Sequence, residues 1–201
     1  MSAYYGSDPT MILSRHLCQM ACNNAWANHR LLKACMRLSS EAFAAPRTGF
    51  FPSIAATLNH VLTVDWYYVD ALERWQQGRE ANRDPSPFFD PEVPHPDARS
   101  LHEAQRACDD RLIAVCAALV DARLVEHVPV MRRAGLEPER ADRLLAHLFQ
   151  HQIHHRGQAH AMLAGTDVAP PQLDEFWCAN EAPLRAAELA EIGLSEEHIW
   201  R

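Results

Sequence analysis

Glycine is scarce in this chain, seven in 201 residues, and no stretch alternates polar and apolar residues for long, which excludes a fold built mainly from strands. Long apolar runs are missing too: no segment approaches the ~18–20 consecutive apolar residues that a membrane span needs. The opening MSAYYGSDPT has no basic start followed by an apolar stretch, so no secretory signal is read there. Positive charge is in deficit, 19 Lys and Arg against 26 Asp and Glu for a net charge of -7. The densest basic pair, Arg132-Arg133, stands close to Glu137 and Glu139. A nucleic-acid partner needs a clustered positive field and is not expected. Gly-rich phosphate loops and strand-to-helix nucleophile elbows are also lacking. The six cysteines, at 18, 22, 35, 108, 116 and 178, are spread through helical sequence rather than set in a short disulfide framework. That is the pattern of reduced thiols, so a cytoplasmic, membrane-free protein is expected.

What is present is helical periodicity. Four long segments carry apolar residues at three- and four-residue spacing. The first runs from about Pro9 to Arg37, with Asp8 as N-cap and Pro9 at the first helical position, and a turn through Ser39-Ser40 and Pro46 follows. The second runs from about Ser53 to Gln77 and stops at Gly78. The third spans about Ala98–Val125, with Leu101, Ala104, Cys108, Leu112, Val115 and Leu119 inward. The fourth spans about Glu139–Leu163 and ends at Gly165. Four such helices predict an all-α four-helix bundle. Residues 83–98, RDPSPFFDPEVPHPDA, hold five prolines and admit no through-running helix, so an extended crossover is expected, with Phe88 or Phe89 packed on the bundle. Residues 125–138 read equally as a small hairpin or an irregular loop. A Pro-rich link after Gly165 leads to a helix near 181–192 and a short last turn. The division expected is a bundle over 1–165 and an extension over 166–201 packed on it.

The chemistry lies in the histidines, twelve in all. The fourth helix reads HLFQHQIHHRGQAH, carrying His147, His151, His154, His155 and His160. Residues four apart on a helix share a face, with Cβ atoms about 5–6 Å apart, so His151 and His155 can aim two imidazoles at one point. His60, in LNHVLTVDWYYVDAL of the second helix, offers a third. Three neutral imidazoles on a divalent ion leave a position open for water or substrate. Read singly, each element has a structural account: His60 as a hydrogen-bonded core histidine, and His147, His154 and His160 as solvent-facing. Gln152 stands where a zincin would have its general base, so no protease mechanism follows. Asp65 and Asp70 either orient a neighbouring group or face solvent. Cys18 and Cys22 share a helix face and could hold a soft metal, but no matching pair lies nearby in sequence, and two small core residues is the preferred reading.

With Asn59-His60, Asp65-Trp66 and HQIHHRGQ at 151–158, the sequence resembles the DinB-like family, which includes YfiT-like metal-dependent hydrolases and thiol S-transferases. The resemblance covers about residues 10–165. It implies an up-down-down-up four-helix bundle whose long crossover is the Pro-rich stretch 78–98. It also implies a metal held by His60, His151 and His155. Relatives of this fold transfer low-molecular-weight thiols such as mycothiol, bacillithiol or glutathione, or isomerise maleylpyruvate, and many have no assigned activity. Arg156 is read as structural, pairing with a carboxylate such as Asp65 or Glu73, and Gly157 as permitting close helix packing.

The expectation is therefore a metal-dependent enzyme of the thiol S-transferase or hydrolase type, acting on a small molecule such as a low-molecular-weight thiol. Zn or Ni is the first choice of ion, with Fe or Mn also within reach of the donor set. The only general-base candidates are Asp65, Tyr67 and Tyr68. The alternatives are a non-enzymatic metal-binding stress protein and a bundle with structural histidines only. A homodimer is expected in either case, with Trp66, Trp75, Trp177 and Trp200 as surface candidates.

Overall fold

In the computed structural model, which describes residues 13–200, the elements in chain order are α1 (Leu13–Cys35), α2 (Ser40–Ala44), α3 (Ile54–Gln76), α4 (Ser86–Phe89), α5 (Ala98–Ala117), β1 (His127–Arg132), β2 (Gly135–Arg140), α6 (Ala141–Ala164), α7 (Ala182–Glu191) and α8 (Glu196–Trp200). The chain is mostly helical, with one two-stranded sheet among the described residues. The Asp8–Pro9 helix start lies outside them.

The helix ends follow local chemistry. Ser53 Oγ accepts the Ala56 amide at 3.0 Å and opens α3, a cap worth about 1 kcal/mol. Asp97 does the same for α5 through the Ser100 amide at 2.9 Å. Beyond α3, Gly78 takes φ +63°, a left-handed conformation that glycine adopts freely. Ser39 caps the short α2 where only a turn was expected. The third helix stops at Ala117, eight residues before the expected end, because the chain turns through a 3-10 segment at Asp121–Arg123. There the Asp121 carboxylate accepts the Leu13 and Ser14 amides of α1 at 3.2 and 2.8 Å.

The four long helices share one core. α1 packs along α5 and α3 along α6, and α3–α5 and α1–α6 contacts join the two pairs. Leu31, Leu62, Leu72, Leu101, Leu112, Leu145, Leu148 and Leu163 are fully buried between them. A polar ring crosses this core. Asp109 on α5 accepts from Asn24, Asn28 and Gln105 at 3.1–3.3 Å. Gln105 and Gln152 both donate to Asp65 on α3. Arg156 on α6 donates to Asn24 and Asn28 at 2.7 and 2.8 Å. All seven side chains are buried, so each polar group needs a partner; the ring supplies these bonds but leaves Asp65 Oδ1 without one.

Residues 127–140 form the hairpin, with Pro129 paired to Pro138 and Gly135 at φ +124° beside the turn. Val128 and Val130 are fully buried, and β1 lies against α3. The crossover after α3 contains a single helical turn, α4, although no through-running helix could form. Prolines at the start of that turn forgo only amides that have no partner within a helix. Phe89 packs against Tyr67, ring centroids 5.5 Å apart. Asn59 pins the far end of the crossover, bonding the His95 carbonyl and amide at 2.8 and 2.9 Å.

After α6, Phe176, Leu189, Ile192 and Ile199 cover Cys22, Ala25 and Trp26 of α1. Buried Arg185 ties this segment together through Glu196 at 2.6 and 3.0 Å and the Cys178 carbonyl at 2.9 Å. Of the tryptophans named as surface candidates, Trp177 is exposed, whereas Trp66 and Trp75 pack against the core. Among the described residues, no helix is long and apolar enough to cross a membrane.

Candidate metal centre

His60 stands two turns into α3, while His151 and His155 stand one turn apart on α6, the helix packed along it. One ring nitrogen from each lies within 4.8 Å of the other two. His60 Nε2 and His151 Nε2 face each other at 3.0 Å. Two ring nitrogens zinc-bound at 2.0–2.1 Å in a tetrahedral arrangement stand about 3.3 Å apart, close to this spacing. His155 is 7% exposed and the other two are half-buried.

The rings are held by their surroundings. Gln158 Oε1 accepts from His155 Nδ1 at 2.8 Å, which fixes the tautomer and leaves Nε2 without a proton. Phe51 lies 4.4 Å from the His60 ring and 5.5 Å from His155, and Phe50 flanks His155 at 6.1 Å, centroid to centroid. Gly49 brings this loop against Met162 of α6. Burial first, and then the charge of neighbouring imidazoles, pushes His60 down to about 4 and His151 to about 3. Burial likewise lowers His155. All three are neutral imidazoles at pH 7, the form that binds a metal.

The donor set fits a cation. His151 Nδ1 is buried without a partner, and its Nε2 meets another ring nitrogen rather than an oxygen acceptor. A neutral imidazole pair can share one N–H···N hydrogen bond, as His29 and His102 do at 2.8 Å, whereas a shared divalent ion satisfies both Nε2 lone pairs at once and brings in His155 as well. No Asp, Glu or Cys joins the group among the described residues.

The other singled-out residues lie elsewhere. His147 and His154 are exposed, and His160 Nε2 meets the Pro171 carbonyl at 2.8 Å. Asp65 is buried in the polar ring, where desolvation and Asp109 raise its pKa well above the usual carboxylate range. The Tyr67 hydroxyl donates to the Met131 carbonyl and so ties α3 to the hairpin. Tyr68 accepts from Arg132 at 2.9 Å. Arg156 is structural and close enough to Asp109 and Asp65 to feel their charge, but its hydrogen bonds go to Asn24, Asn28 and Gln152, and Glu73, the other partner expected for it, pairs instead with Arg111 at 2.8 Å. Gly157 is exposed, and a Cβ there would meet nothing within 4 Å, so close packing does not require it. Sequence reasoning missed Phe50, Phe51 and the bond from His155 to Gln158. Only Gln158 carried a signal, its three-residue spacing from His155 on one helix face.

Beside the group lies a cavity of about 360 Å³, lined by Arg47, Gly49, Phe50, Gln158, Ala161 and Met162. It shares Phe50 and Gln158 with the surroundings of His155.

No curated protein matches the chain. The sequence model of the DinB family matches residues 11–189, a span that includes all three histidines and continues past α6 into α7. A match over that much of the sequence means that the chain belongs to the DinB family.

Proposed function

We propose that His60, His151 and His155 hold one divalent metal ion, Zn or Ni first, in a metal-dependent enzyme of the thiol S-transferase type. The observation that carries this reading is the convergence of three neutral imidazoles, two of them meeting nitrogen to nitrogen at 3.0 Å. An ion bound there supplies a Lewis-acidic position that lowers the pKa of a thiol or a water. Gln158 orients His155, and Phe50 and Phe51 thin the water around the group. The neighbouring cavity, with Arg47 in its wall, is the place for an electrophilic small molecule. Hydrolysis needs a base to manage the water's protons, and among the described residues no carboxylate joins the group. A thiol asks for less proton transfer, which favours thiol transfer over hydrolysis.

The wider reading rests on the same family membership. The four long helices form an up-down-down-up bundle over the described residues up to 165, residues 166–200 pack on it as an extension, and two copies pair through a face that includes Trp177. The test is turnover of small thiols, glutathione among them, with an electrophile such as a haloarene. Product formation that stops on chelation and returns with Zn or Ni supports the enzyme. One tightly bound metal per chain with no turnover across thiols and electrophiles would instead leave a metal-binding protein without catalysis.

A further inference from the structure

Three of the six cysteines come together at the α1–α5 seam, on elements other than those of the histidine group. Cys18 and Cys22 lie one turn apart on α1, and Cys116 faces them from the end of α5. All three line a cavity of about 330 Å³ whose far wall includes His198 and Ile199 of α8. Cys18 is half-buried and reachable, while Cys22 and Cys116 are each 1% exposed.

The helix geometry limits what this pair can bind. Side chains four apart hold their Cβ atoms about 5–6 Å apart, against about 3.5–4.5 Å in a disulfide. Cys18 and Cys22 therefore do not close on each other without unwinding α1. A single soft atom inserted between the sulfurs spans the longer gap. The three sulfurs do not form one of the convergent metal-ligand groups found among the described residues, which disfavours a centre needing three thiolates. The hydrogen bond to Cys18 and then burial raise the Cys22 thiol, and burial raises that of Cys116, so a site left with net negative charge, as with two thiolates on monovalent copper, is disfavoured.

We propose that Cys18 and Cys22 form a dithiol site for a trivalent organoarsenical, a soft centre carrying one organic substituent and two exchangeable oxygens. In the reaction RAs(OH)2 + 2 HS–Cys gives RAs(S–Cys)2 + 2 H2O. Two As–O bonds break and two As–S bonds form. The thiol protons leave in the water, and no electrons are transferred. The product is neutral, so burial does not oppose it. The cavity beside the pair holds the organic substituent, with Cys116 as part of its wall. The hydrogen bond from the Cys22 thiol holds Cys18 down to about 7, which makes the reachable sulfur the first nucleophile and Cys22 the second.

The probe is phenylarsine oxide, read by intact-protein mass spectrometry in excess glutathione, which strips arsenic held by one sulfur. The wild-type protein is expected to retain one aryl-arsenic group. Loss of the second, intramolecular bond in Cys18→Ser or Cys22→Ala should weaken retention on the order of 10²-fold. Cys116→Ser and His155→Ala should retain it as the wild type does. Circular dichroism checks the fold of Cys22→Ala, and the half-buried Cys18→Ser keeps the test decisive if Cys22→Ala unfolds. Wild-type protein stripped by glutathione, undiminished retention in Cys18→Ser, or loss in Cys116→Ser would each overturn the assignment.

Discussion

Gln158 has leverage on the histidine group through a single hydrogen bond. Its Oε1 accepts from His155 Nδ1 at 2.8 Å and so fixes which nitrogen faces His60 and His151. Partners of this kind typically matter by about 10–100-fold in metal affinity. Gln158→Ala should weaken Zn binding by that factor, measured by competition with a chromogenic chelator, while the thermal melt of metal-free protein hardly moves. Unchanged affinity would mean that the His155 ring is held by Phe51 packing alone. His151 and His155 were legible in the sequence because four-residue spacing on a helix puts two side chains on one face. His60 was legible more weakly, as a third imidazole on the second helix, and the family resemblance strengthened it, since one histidine on an apolar face has a structural account of its own. Phe50 and Phe51 left no signal: they come from a loop, and no periodicity says where a loop will lie.

Among the elements, the hairpin is the one whose sequence permitted two readings. Pro129 and Pro138 argue against strands, but they sit opposite each other, so both missing amides fall on one rung of the ladder. Tyr67 and Tyr68 then hold it to α3, through the Met131 carbonyl and Arg132. This gives Tyr67 a role as an anchor. Tyr67→Phe should lose about 0.5–1.5 kcal/mol in urea unfolding, the usual worth of one such hydrogen bond, with metal content unchanged. A stable variant whose thiol transfer collapses would return Tyr67 to the chemistry. The early end of α5 was hidden for a related reason. Apolar spacing continues through Leu119 and Leu124, both still buried, yet the Asp121 carboxylate is needed by the amides of α1.

Across the whole molecule, the polar ring of Asn24, Asn28, Asp65, Gln105, Asp109, Gln152 and Arg156 joins all four long helices. Asp65, Gln152 and Arg156 stood out in the sequence for other reasons and the rest only as scattered polar residues, so it is their shared burial that reveals the ring. Burial pushes Asp109 up to about 7 from an ordinary 3.8. Between those values the folded chain keeps a proton that the unfolded chain has released. Stability therefore falls as pH rises from about 4 to about 7, and the loss is complete above that. Asp65 is raised as well and acts in the same direction. His60 and His151, lowered on folding, act in the opposite sense by losing stability as pH falls below 6.5. Their effect is common to both proteins in a comparison of wild type with Asp109→Asn. The melting-temperature difference between the two should shift in favour of the variant from pH 4.5 to pH 7.5. A difference independent of pH would show that Asp109 is ionised in the folded chain throughout.

The central claim is that three histidines from two helices hold one ion. The direct measurement is elemental analysis of untagged protein after loading with Zn or Ni, beside His60→Ala, His151→Ala and His155→Ala. The account predicts about one metal per wild-type chain, as expected of a single mononuclear site, and its loss in each variant with the helical signal intact. Wild-type protein that takes up no metal, or variants that keep it, would contradict the account and leave the three imidazoles as buried structural side chains.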